Sequence, residues 1–300
     1  MLFVRKKRYI GTFLIGSILI AFGLLANADG QAKRKNSARV PKYEESSISS
    51  VSSAEKSSRM KPVFEHAANR NEVLKSELTW SFGGKSQRGW YLYSPLISSM
   101  IGAEDQPASP RFALKLSSWQ RANGLQQSGV LDENTWSQMV TALQANRLRN
   151  LGVPEDNQLV TAPISDFYDP TRAEELRRVE RRTYHAYQRM IKAAAADPSL
   201  RLSPGEKYLK IISAFRSQEY QDQLRRQSPT AGRAGLAINS HHITGQALDL
   251  YVGGEPVSTK DENRAIQIKT PAYRWLVKNA ARFGFKPYFY EPWHWEYDSD

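Results

Sequence analysis

The sequence predicts two folded parts: a small helical domain, and after it a larger part that mixes helices with short strands. Two patterns support this division. Apolar side chains recur near helical spacing between residues 88 and 147. In the second half, similar helical runs alternate with short apolar runs bounded by glycine, proline and polar residues, which are typical of buried strands.

Composition limits the kinds of site that the chain can build. The 300 residues include no cysteine, which excludes disulfides and thiolate metal sites. Any metal ion would therefore need imidazole and carboxylate ligands. Hydrophobic residues make up 40% of the chain, slightly below the usual globular range, which fits folded domains joined to a polar segment.

The net charge of +12 is unevenly distributed. Residues 31–90 hold 12 basic and 6 acidic side chains, whereas residues 91–300 hold 26 basic and 23 acidic side chains. Most of the excess positive charge thus lies outside the part that looks folded, which argues against a nucleic-acid-binding domain. A basic tether near a membrane or an anionic wall polymer fits this distribution better.

Residues 1–28 have the pattern of an export signal. Four consecutive cations at positions 5–8 precede an apolar run from Tyr9 to about Ala26. A cleaved signal peptide has this pattern, with small residues such as Ala26 and Ala28 at its end. The run also approaches the length of a single-pass membrane anchor, so both interpretations stay open. In either case the rest of the chain is predicted to be exported, to the periplasm or cell envelope.

Residues 29–87 are predicted to form a flexible linker. They are rich in serine, lysine, arginine and glutamate, with SSISSVSSAEKSS near the centre, and they show no sustained apolar period. A segment of this composition cannot bury enough surface to offset the entropy that is lost on ordering.

Residues 88–147 predict a compact domain of two or three short helices. Gly124 is suited to end the first helix, and Asp132 or Asn134 can cap the next one. The apolar residues of these two helices are Phe112, Leu114, Leu116 and Trp119, then Trp136, Met139, Val140 and Leu143.

This helical stretch resembles the peptidoglycan-binding domain found at the ends of many wall hydrolases. The matching residues are Trp119-Gln120, Gly124-Leu125, Gly129-Val130-Leu131 and Thr135-Trp136, with departures at Ser128 and Glu133. The resemblance implies peptidoglycan as a partner, with an ordinary three-helix packing module as the alternative. Its apolar positions are core positions first, so no glycan contact is assigned to them.

From residue 165 to residue 300 the sequence predicts a second domain. Asp169-Pro170 are suited to begin a long helix that reaches Ala194. The later predicted elements are a buried strand at 208–215 followed by a helix, a strand within 238–250, a helix over 271–283, and two closing strands within 284–298.

Three of the five histidines lie in two short stretches, INSHHITGQALDL at 238–250 and EPWHWEY at 291–297. His242, Asp249 and His294 suit a catalytic zinc, which takes three protein ligands and keeps one position open. Glu291 lies three positions before His294 and is a candidate general base. The remaining histidines, at positions 66 and 185, are predicted to be surface or packing residues.

These stretches resemble the zinc D-alanyl-D-alanine carboxypeptidase family, the LAS-type peptidoglycan metallopeptidases. Three separated motifs match: Ser240, His242, Gly245, Ala247 and Asp249; Glu291, Trp293 and His294; and Arg216, Ser217, Gln221 and Leu224. The joint match is more specific than any single motif. It implies an α+β fold, with a small antiparallel sheet flanked by helices (Hedgehog/DD-peptidase-like), preceded here by the small three-helix domain.

The resemblance also implies a role for each matched residue. His242, Asp249 and His294 would bind Zn²⁺, and Glu291 would be the base. Arg216 would act in catalysis on the substrate or intermediate, while Ser240 and Gln221 would contact the substrate. The motif register selects His242 over His241, for which an outer or surface role remains. Glu296 is expected to form a structural salt bridge or to support a ligand from outside.

The function that follows is that of an exported zinc peptidase acting on peptidoglycan stem peptides, as a D,D- or L,D-carboxypeptidase that removes terminal D-alanine. An endopeptidase of the same fold is an alternative, because pocket walls decide between the two. A catalytically inactive wall-binding scaffold and a structural zinc domain are the others. The latter would need a fourth protein ligand.

Overall fold

A computed structural model provides the structure of the chain, and it describes residues 53–104, 106–145, 147, 152–200, 205–227 and 240–298. The predicted signal peptide or anchor over 1–28 lies outside these residues. Within the described ranges, no helix combines the length and apolar character needed to cross a membrane.

The described part of the chain combines helices with three small antiparallel sheets. The α-helices are α1 (Ser53–Glu77), α2 (Ser94–Ile101), α3 (Pro110–Ala122), α4 (Glu133–Ala145), α5 (Arg181–Ala196), α6 (Gln218–Gln227), α7 (Asp261–Gln267) and α8 (Pro271–Asn279). The strands are β1 (Thr79–Phe82), β2 (Lys85–Arg88), β3 (Leu159–Thr161), β4 (Arg178–Glu180), β5 (Ile211–Ser213), β6 (Ala247–Leu250), β7 (Phe285–Pro287) and β8 (His294–Tyr297).

The segment 29–87 differs from the predicted flexible linker, because α1 and the β1–β2 hairpin occupy its second half. Ala67, Ala68, Asn71 and Leu74 form the buried face of α1 at helical spacing. Asn71 donates to the Gly129 carbonyl at 2.9 Å, and its Oδ1 accepts from the Leu131 amide at 2.7 Å. Small side chains and a buried asparagine make this contact, so the segment carried no large apolar stripe to reveal a helix.

Helices α2, α3 and α4 lie within the predicted helical domain, and their ends follow the predicted chemistry. Asp132 Oδ1 accepts from the Thr135 amide at 2.8 Å at the start of α4. Gly124, with φ of 70°, follows the end of α3, where a left-handed residue is common. Leu114, which the sequence placed among the apolar positions of α3, lies on the outer face and is 38% exposed.

The residues that resemble a peptidoglycan-binding domain serve the interior of this module. The fully buried Gln120 accepts from the Gly129 amide at 2.8 Å and donates to the Val130 carbonyl at 2.9 Å and to Thr135 Oγ1 at 3.0 Å. Leu131 and Trp136 are buried as well. These positions hold the loop between α3 and α4 against the two helices, as expected of core positions.

A four-stranded antiparallel sheet in the order β5-β6-β8-β7 forms the centre of the C-terminal part. This arrangement, with helices packed around a small sheet, confirms the α+β prediction. Leu248, Leu250 and Trp295 point into one core with Met190 of α5 and Leu276 of α8. Because side chains alternate along a strand, the residues between them face the other side of the sheet.

The long helix that was predicted to begin at Asp169 begins instead at Arg181. Glu180 is its N-cap, and its carboxylate accepts from the Thr183 amide at 2.8 Å and from Thr183 Oγ1 at 2.9 Å. Residues 178–180 pair with β3 and are therefore extended, which excludes an earlier start for α5. Asp169 Oδ1 closes a local turn by accepting from the Thr171 amide at 2.8 Å.

An aromatic cluster joins the β1–β2 hairpin and the helical domain to the loop that precedes β8. The Phe289 ring lies 4.8 Å from the Phe82 ring and 5.5 Å from the Tyr93 ring, as measured between centroids. Arg264 is almost fully buried beside them and donates to the Tyr93 hydroxyl at 3.2 Å and to the Tyr290 carbonyl at 3.1 Å. The two parts of the chain thus share one buried interface.

We predict that Phe289→Ala lowers the free energy of unfolding by about 3 to 5 kcal/mol, the usual cost of removing a buried phenylalanine ring. Urea denaturation followed by tryptophan fluorescence and circular dichroism measures it. Leu114→Ala, which removes a partly exposed side chain, is the control and should cost far less. Separate transitions for the helical and C-terminal parts in the wild-type chain would contradict the shared interface.

Candidate active site

The fold brings His242, Asp249 and His294 to one point on the open face of the four-stranded sheet. Asp249 of β6 stands directly opposite His294 of β8 in the strand register. His242 comes from the short 3₁₀ turn His241–Thr244, just before β6. Asp249 Oδ1 lies 3.2 Å from His242 Nε2 and 3.0 Å from His294 Nδ1, and all three side chains are buried.

Two residues of the first motif shape the turn that carries His242. Ser240 is its N-cap, with its Oγ 3.4 Å from the His242 amide. Gly245 ends the turn with φ of 68°, and its amide donates to the His242 carbonyl at 3.1 Å. A Cβ at this position would lie 3.0 Å from both the Cβ and the backbone nitrogen of Glu180. Glycine is therefore required by conformation and by space.

Backbone and carboxylate partners fix which nitrogen each imidazole turns toward Asp249. His242 Nδ1 lies 2.7 Å from the Ala214 carbonyl, so this nitrogen carries the proton and Nε2 faces Asp249. His294 Nε2 lies 3.2 Å from Glu296 Oε1, which leaves Nδ1 toward Asp249. Partners of this kind typically orient metal-binding histidines.

The three donor atoms fit a zinc ion. Metal–ligand distances of roughly 2.0–2.1 Å in a tetrahedron place neighbouring ligand atoms about 3.3 Å apart. The separations of 3.2 and 3.0 Å at Asp249 Oδ1 are close to that edge length. Two imidazoles and one carboxylate are a ligand set that zinc accepts, and the three residues group together as potential ligands.

Arg216 holds the outer oxygen of Asp249. Its Nη2 donates to Asp249 Oδ2 at 2.7 Å, while its Nε donates to Ser213 Oγ at 2.9 Å and its Nη1 to Gln221 Oε1 at 3.3 Å. Oδ1 is thereby left to face the two histidines. Gln221 is fully buried, which favours a role in holding Arg216 over direct contact with a substrate.

Burial and the neighbouring charges shift the pKa values of the three residues at this centre. Burial raises the pKa of Asp249, but His242, His294 and Arg216 hold it well below its usual range, so Asp249 stays ionised. Burial, together with the Arg216 charge, lowers the pKa of His242 to about 4, so this imidazole is neutral and able to act as a ligand. Burial alone would lower the pKa of His294, whereas hydrogen bonds to Asp249 and Glu296 raise it to about 9.

Glu291 lies at the edge of the same group, with its Oε2 4.0 Å from His294 Nδ1. A short turn holds it there, because the Glu291 amide donates to the Tyr288 carbonyl at 3.2 Å and the Glu291 carbonyl accepts from the His294 amide at 3.0 Å. Burial, with the nearby Asp249 charge, raises the pKa of Glu291 to about 8. A divalent cation beside it would lower that pKa toward neutrality, the range in which a carboxylate transfers protons efficiently.

A second buried group, His241, His294 and Glu296, adjoins the first and shares His294 with it. His241 is buried, so a surface role for it is wrong, and its Nδ1 lies against Glu296 Oε1. Arg147 Nη2 lies 2.5 Å from Glu296 Oε1 and 2.8 Å from His241 Nδ1. Arg147 thus already places a positive charge against the potential ligand atoms of this second group. The group of His242, Asp249 and His294 is therefore the better candidate for binding a metal ion.

The sequence singled out most of these residues but not Arg147. His242, Asp249, His294, Glu291 and Arg216 come together in the structure. Glu296 forms a salt bridge with Arg147 and also contacts His294, so both of its expected contacts occur. The two other histidines, at positions 66 and 185, are exposed as predicted. Arg147 lies 149 residues from Glu296 in the chain, and no local motif marks it.

Comparison with known proteins finds a family model that matches the part of the chain containing this site. Residues 176–300 match the family model for D-alanyl-D-alanine carboxypeptidase, VanY. The solved structure of the LD-carboxypeptidase LdcB is 22% identical over 48% of this chain and 69% of that chain, with a TM-score of 0.36. A mutant of the vancomycin resistance D,D-pentapeptidase VanY in complex with Zn(II) is 26% identical over 40% of this chain and 72% of that chain, with a TM-score of 0.28. No curated protein matches the chain.

We predict that Gly245→Ala destabilises the fold more than Gly102→Ala. Both glycines end a helical turn at positive φ, 68° and 64°, so each alanine should cost roughly 1–2 kcal/mol for backbone strain. An added Cβ at Gly102 meets open space, whereas at Gly245 it meets Glu180, which should add about 1–3 kcal/mol. Urea unfolding of both variants measures the difference, and equal costs would contradict the close approach at Gly245.

Proposed function

We propose that this chain is an exported, zinc-dependent peptidase acting on peptidoglycan stem peptides, because residues 176–300 match the D-alanyl-D-alanine carboxypeptidase family model. Its reaction would be the removal of a terminal D-alanine. One observation carries the proposal: one nitrogen of each of two imidazoles lies within 3.2 Å of Asp249 Oδ1, with the buried Glu291 beside them.

Zinc would be held by His242 Nε2, Asp249 Oδ1 and His294 Nδ1. When bound, the ion supplies Lewis acidity, which polarises the scissile amide carbonyl and acidifies a water molecule. The protein's part is to keep the two imidazoles in the required tautomers, through the Ala214 carbonyl and Glu296. Protein partners outside the ligands thus set the geometry before any substrate arrives.

Glu291 is proposed as the general base and acid. Its carboxylate would accept a proton from the attacking water and then pass it to the departing amine. The distance from base to ligand is set by a single turn, because the Glu291 carbonyl accepts from the His294 amide at 3.0 Å. Burial excludes bulk water from this carboxylate, which keeps the transferred proton within the site.

Arg216 is proposed to stabilise the negative charge that develops on the carbonyl oxygen, or to bind a substrate carboxylate. Its guanidinium is always charged and is held by Ser213, Gln221 and Asp249. Each terminal nitrogen carries a second N–H besides the one used in these hydrogen bonds, which is the donor that the proposed role requires. Substrate contacts by Ser240 and Gln221 remain predictions, and their hydrogen bonds support positioning roles as well.

The rest of the chain fits a substrate in the cell wall. An export signal or anchor over 1–28 would deliver the enzyme to the periplasm or envelope, and the helical domain over 88–147 would add affinity for peptidoglycan. The domain 165–300 would then contain the catalytic machinery. The proposed partner is therefore the wall polymer itself, with no role for nucleic acid.

The test is to incubate the full chain with defined muropeptides, with and without a chelator, and to read the products by mass spectrometry. Loss of one terminal alanine supports the carboxypeptidase proposed here. Two peptide fragments would instead identify an endopeptidase of the same fold. Products that do not change with chelator, or that are not restored by added zinc, contradict a zinc peptidase.

We predict that Glu291→Gln lowers kcat about 10²- to 10⁴-fold, the usual contribution of proton transfer by a positioned side chain, while zinc content stays unchanged. Product formation from muropeptides gives kcat, and atomic absorption gives the zinc content. His185→Gln, at an exposed position, is the control and should leave both quantities as in the wild type. Full activity in Glu291→Gln would favour a wall-binding scaffold without catalysis.

We predict that the two adjacent histidines respond differently to replacement. His242→Ala should abolish stoichiometric zinc binding, because it removes a ligand. His241→Ala should keep one zinc per chain at an affinity about 10- to 100-fold lower, as for a partner outside the ligand set. Zinc titration against a chromophoric chelator measures both variants. If His241→Ala instead lost zinc binding and His242→Ala kept it, the metal site would be assigned to the group formed by His241, His294 and Glu296.

A further inference from the structure

We propose that Arg147 is a positioning residue for the metal centre. It lies outside the matched family domain 176–300 and would hold His294 and the loop of Glu291 in place from the helical side of the molecule. This inference rests on the proposed function, since it concerns how firmly the zinc ligands are held. It gives Arg147 a part in the active site that no motif in the sequence indicates.

Arg147 reaches the site from a firmly held helix end. Helix α4 finishes at Ala145, and the Arg147 amide still donates to the Gln144 carbonyl at 3.2 Å. The helix is anchored by Trp136 and Met139, which are almost completely buried in the aromatic cluster. The backbone that carries the guanidinium therefore starts from a fixed position, so only the side chain has to become ordered when it binds its partners.

The first contact of Arg147 is with the carboxylate that orients a zinc ligand. Its Nε and Nη2 both donate to Glu296 Oε1, at 3.0 and 2.5 Å. The same oxygen lies 3.2 Å from His294 Nε2, so it is the hydrogen-bond acceptor that turns His294 Nδ1 toward Asp249. Arg147 thus fixes the position of the acceptor, which in turn fixes the ring orientation of the ligand.

The second contact of Arg147 is with the loop that carries the base. Its guanidinium lies 4.0 Å from the centre of the Tyr288 ring, within the range of a cation–π interaction. The Tyr288 carbonyl accepts from the Glu291 amide, and the Tyr288 amide donates to the His294 carbonyl at 3.0 Å. One side chain therefore contacts both the partner of a ligand and the turn that holds Glu291.

The burial of this contact distinguishes it from an ordinary surface salt bridge. The Glu296 side chain is 2% exposed and that of Arg147 is 24% exposed, so water screens the pair weakly. A buried carboxylate that loses its cation is strongly destabilised and tends to move away from its position. That movement would release the acceptor of His294 Nε2, which is the effect that a positioning role requires.

The experiment compares Arg147→Met, Arg147→Lys and the wild type in the full chain, by zinc competition with a chromophoric chelator and by the visible spectrum of the Co²⁺-substituted protein. Arg147→Met should weaken zinc binding about 10- to 100-fold and shift the Co²⁺ bands, because the geometry of His294 relaxes. Arg147→Lys should recover part of the lost zinc affinity. An ammonium can pair with Glu296, but it cannot reproduce the two hydrogen bonds that the planar guanidinium donates from Nε and Nη2.

Arg282→Met is the matched control, because it removes a guanidinium that donates to Asn279 Oδ1 at 3.1 Å, away from the zinc ligands. It should leave the zinc affinity and the Co²⁺ spectrum unchanged. If Arg147→Met binds zinc within about twofold of the wild type and gives the same spectrum, the inference is wrong, since outer partners normally change affinity by tenfold or more.

Glu296→Gln provides a second route in case Arg147→Met does not fold, because it keeps the shape of the side chain and removes the charge that Arg147 binds. It should weaken zinc binding in the same direction. The double variant Arg147→Met/Glu296→Gln should lose little more than either single variant, as expected for residues acting as one unit. Fully additive losses would contradict the relay through Glu296. A wild-type chain that binds no zinc would reject the proposed function itself, and this inference with it.

Discussion

The pairing of β6 with β8 is the constraint on which the candidate site depends. Directly opposed residues of an antiparallel pair have their Cβ atoms roughly 4.5–5.5 Å apart, so Asp249 and His294 meet because of the strand register alone. The register is itself fixed by the core, because Leu248 and Trp295 are buried on the opposite face. A slip of one residue would exchange ligands for core side chains, so folding energy maintains the geometry of the site.

Around that pair, each inner group is held by a hydrogen-bond partner on its far side. The Ala214 carbonyl orients His242, Arg216 binds the outer oxygen of Asp249, and Glu296 accepts from His294. Buried polar groups are costly unless they are satisfied, so these contacts stabilise the fold and prepare the site together. The pKa values of two neighbouring carboxylates shift in opposite directions. Nearby cations lower the pKa of Asp249, whereas burial raises the pKa of Glu291.

The helical domain contributes more to this site than a tethered wall-binding module would. Its aromatic residues pack against Tyr288–Tyr290, the residues immediately before Glu291. The residues by which it resembles a peptidoglycan-binding domain, such as Gln120 and Trp136, are used in its own interior. Any contact with the wall polymer would therefore come from its exposed surface. Its buried surface steadies the loop that carries the proposed base.

The sequence by itself singled out His242, Asp249 and His294 as candidate ligands, because zinc chemistry restricts the residue types and the motifs resemble those of a zinc peptidase family. The pairing of β6 with β8 then brought His294 beside Asp249. The sequence also offered Asp132 or Asn134 as the cap of α4, a purely local interaction, and the structure uses Asp132. Only the tertiary structure decided where α5 begins, since Val179 pairs in a sheet instead of extending a helix. It alone brought Arg147 to Glu296, because a contact between residues 149 positions apart depends on the packing of whole domains and leaves no local pattern.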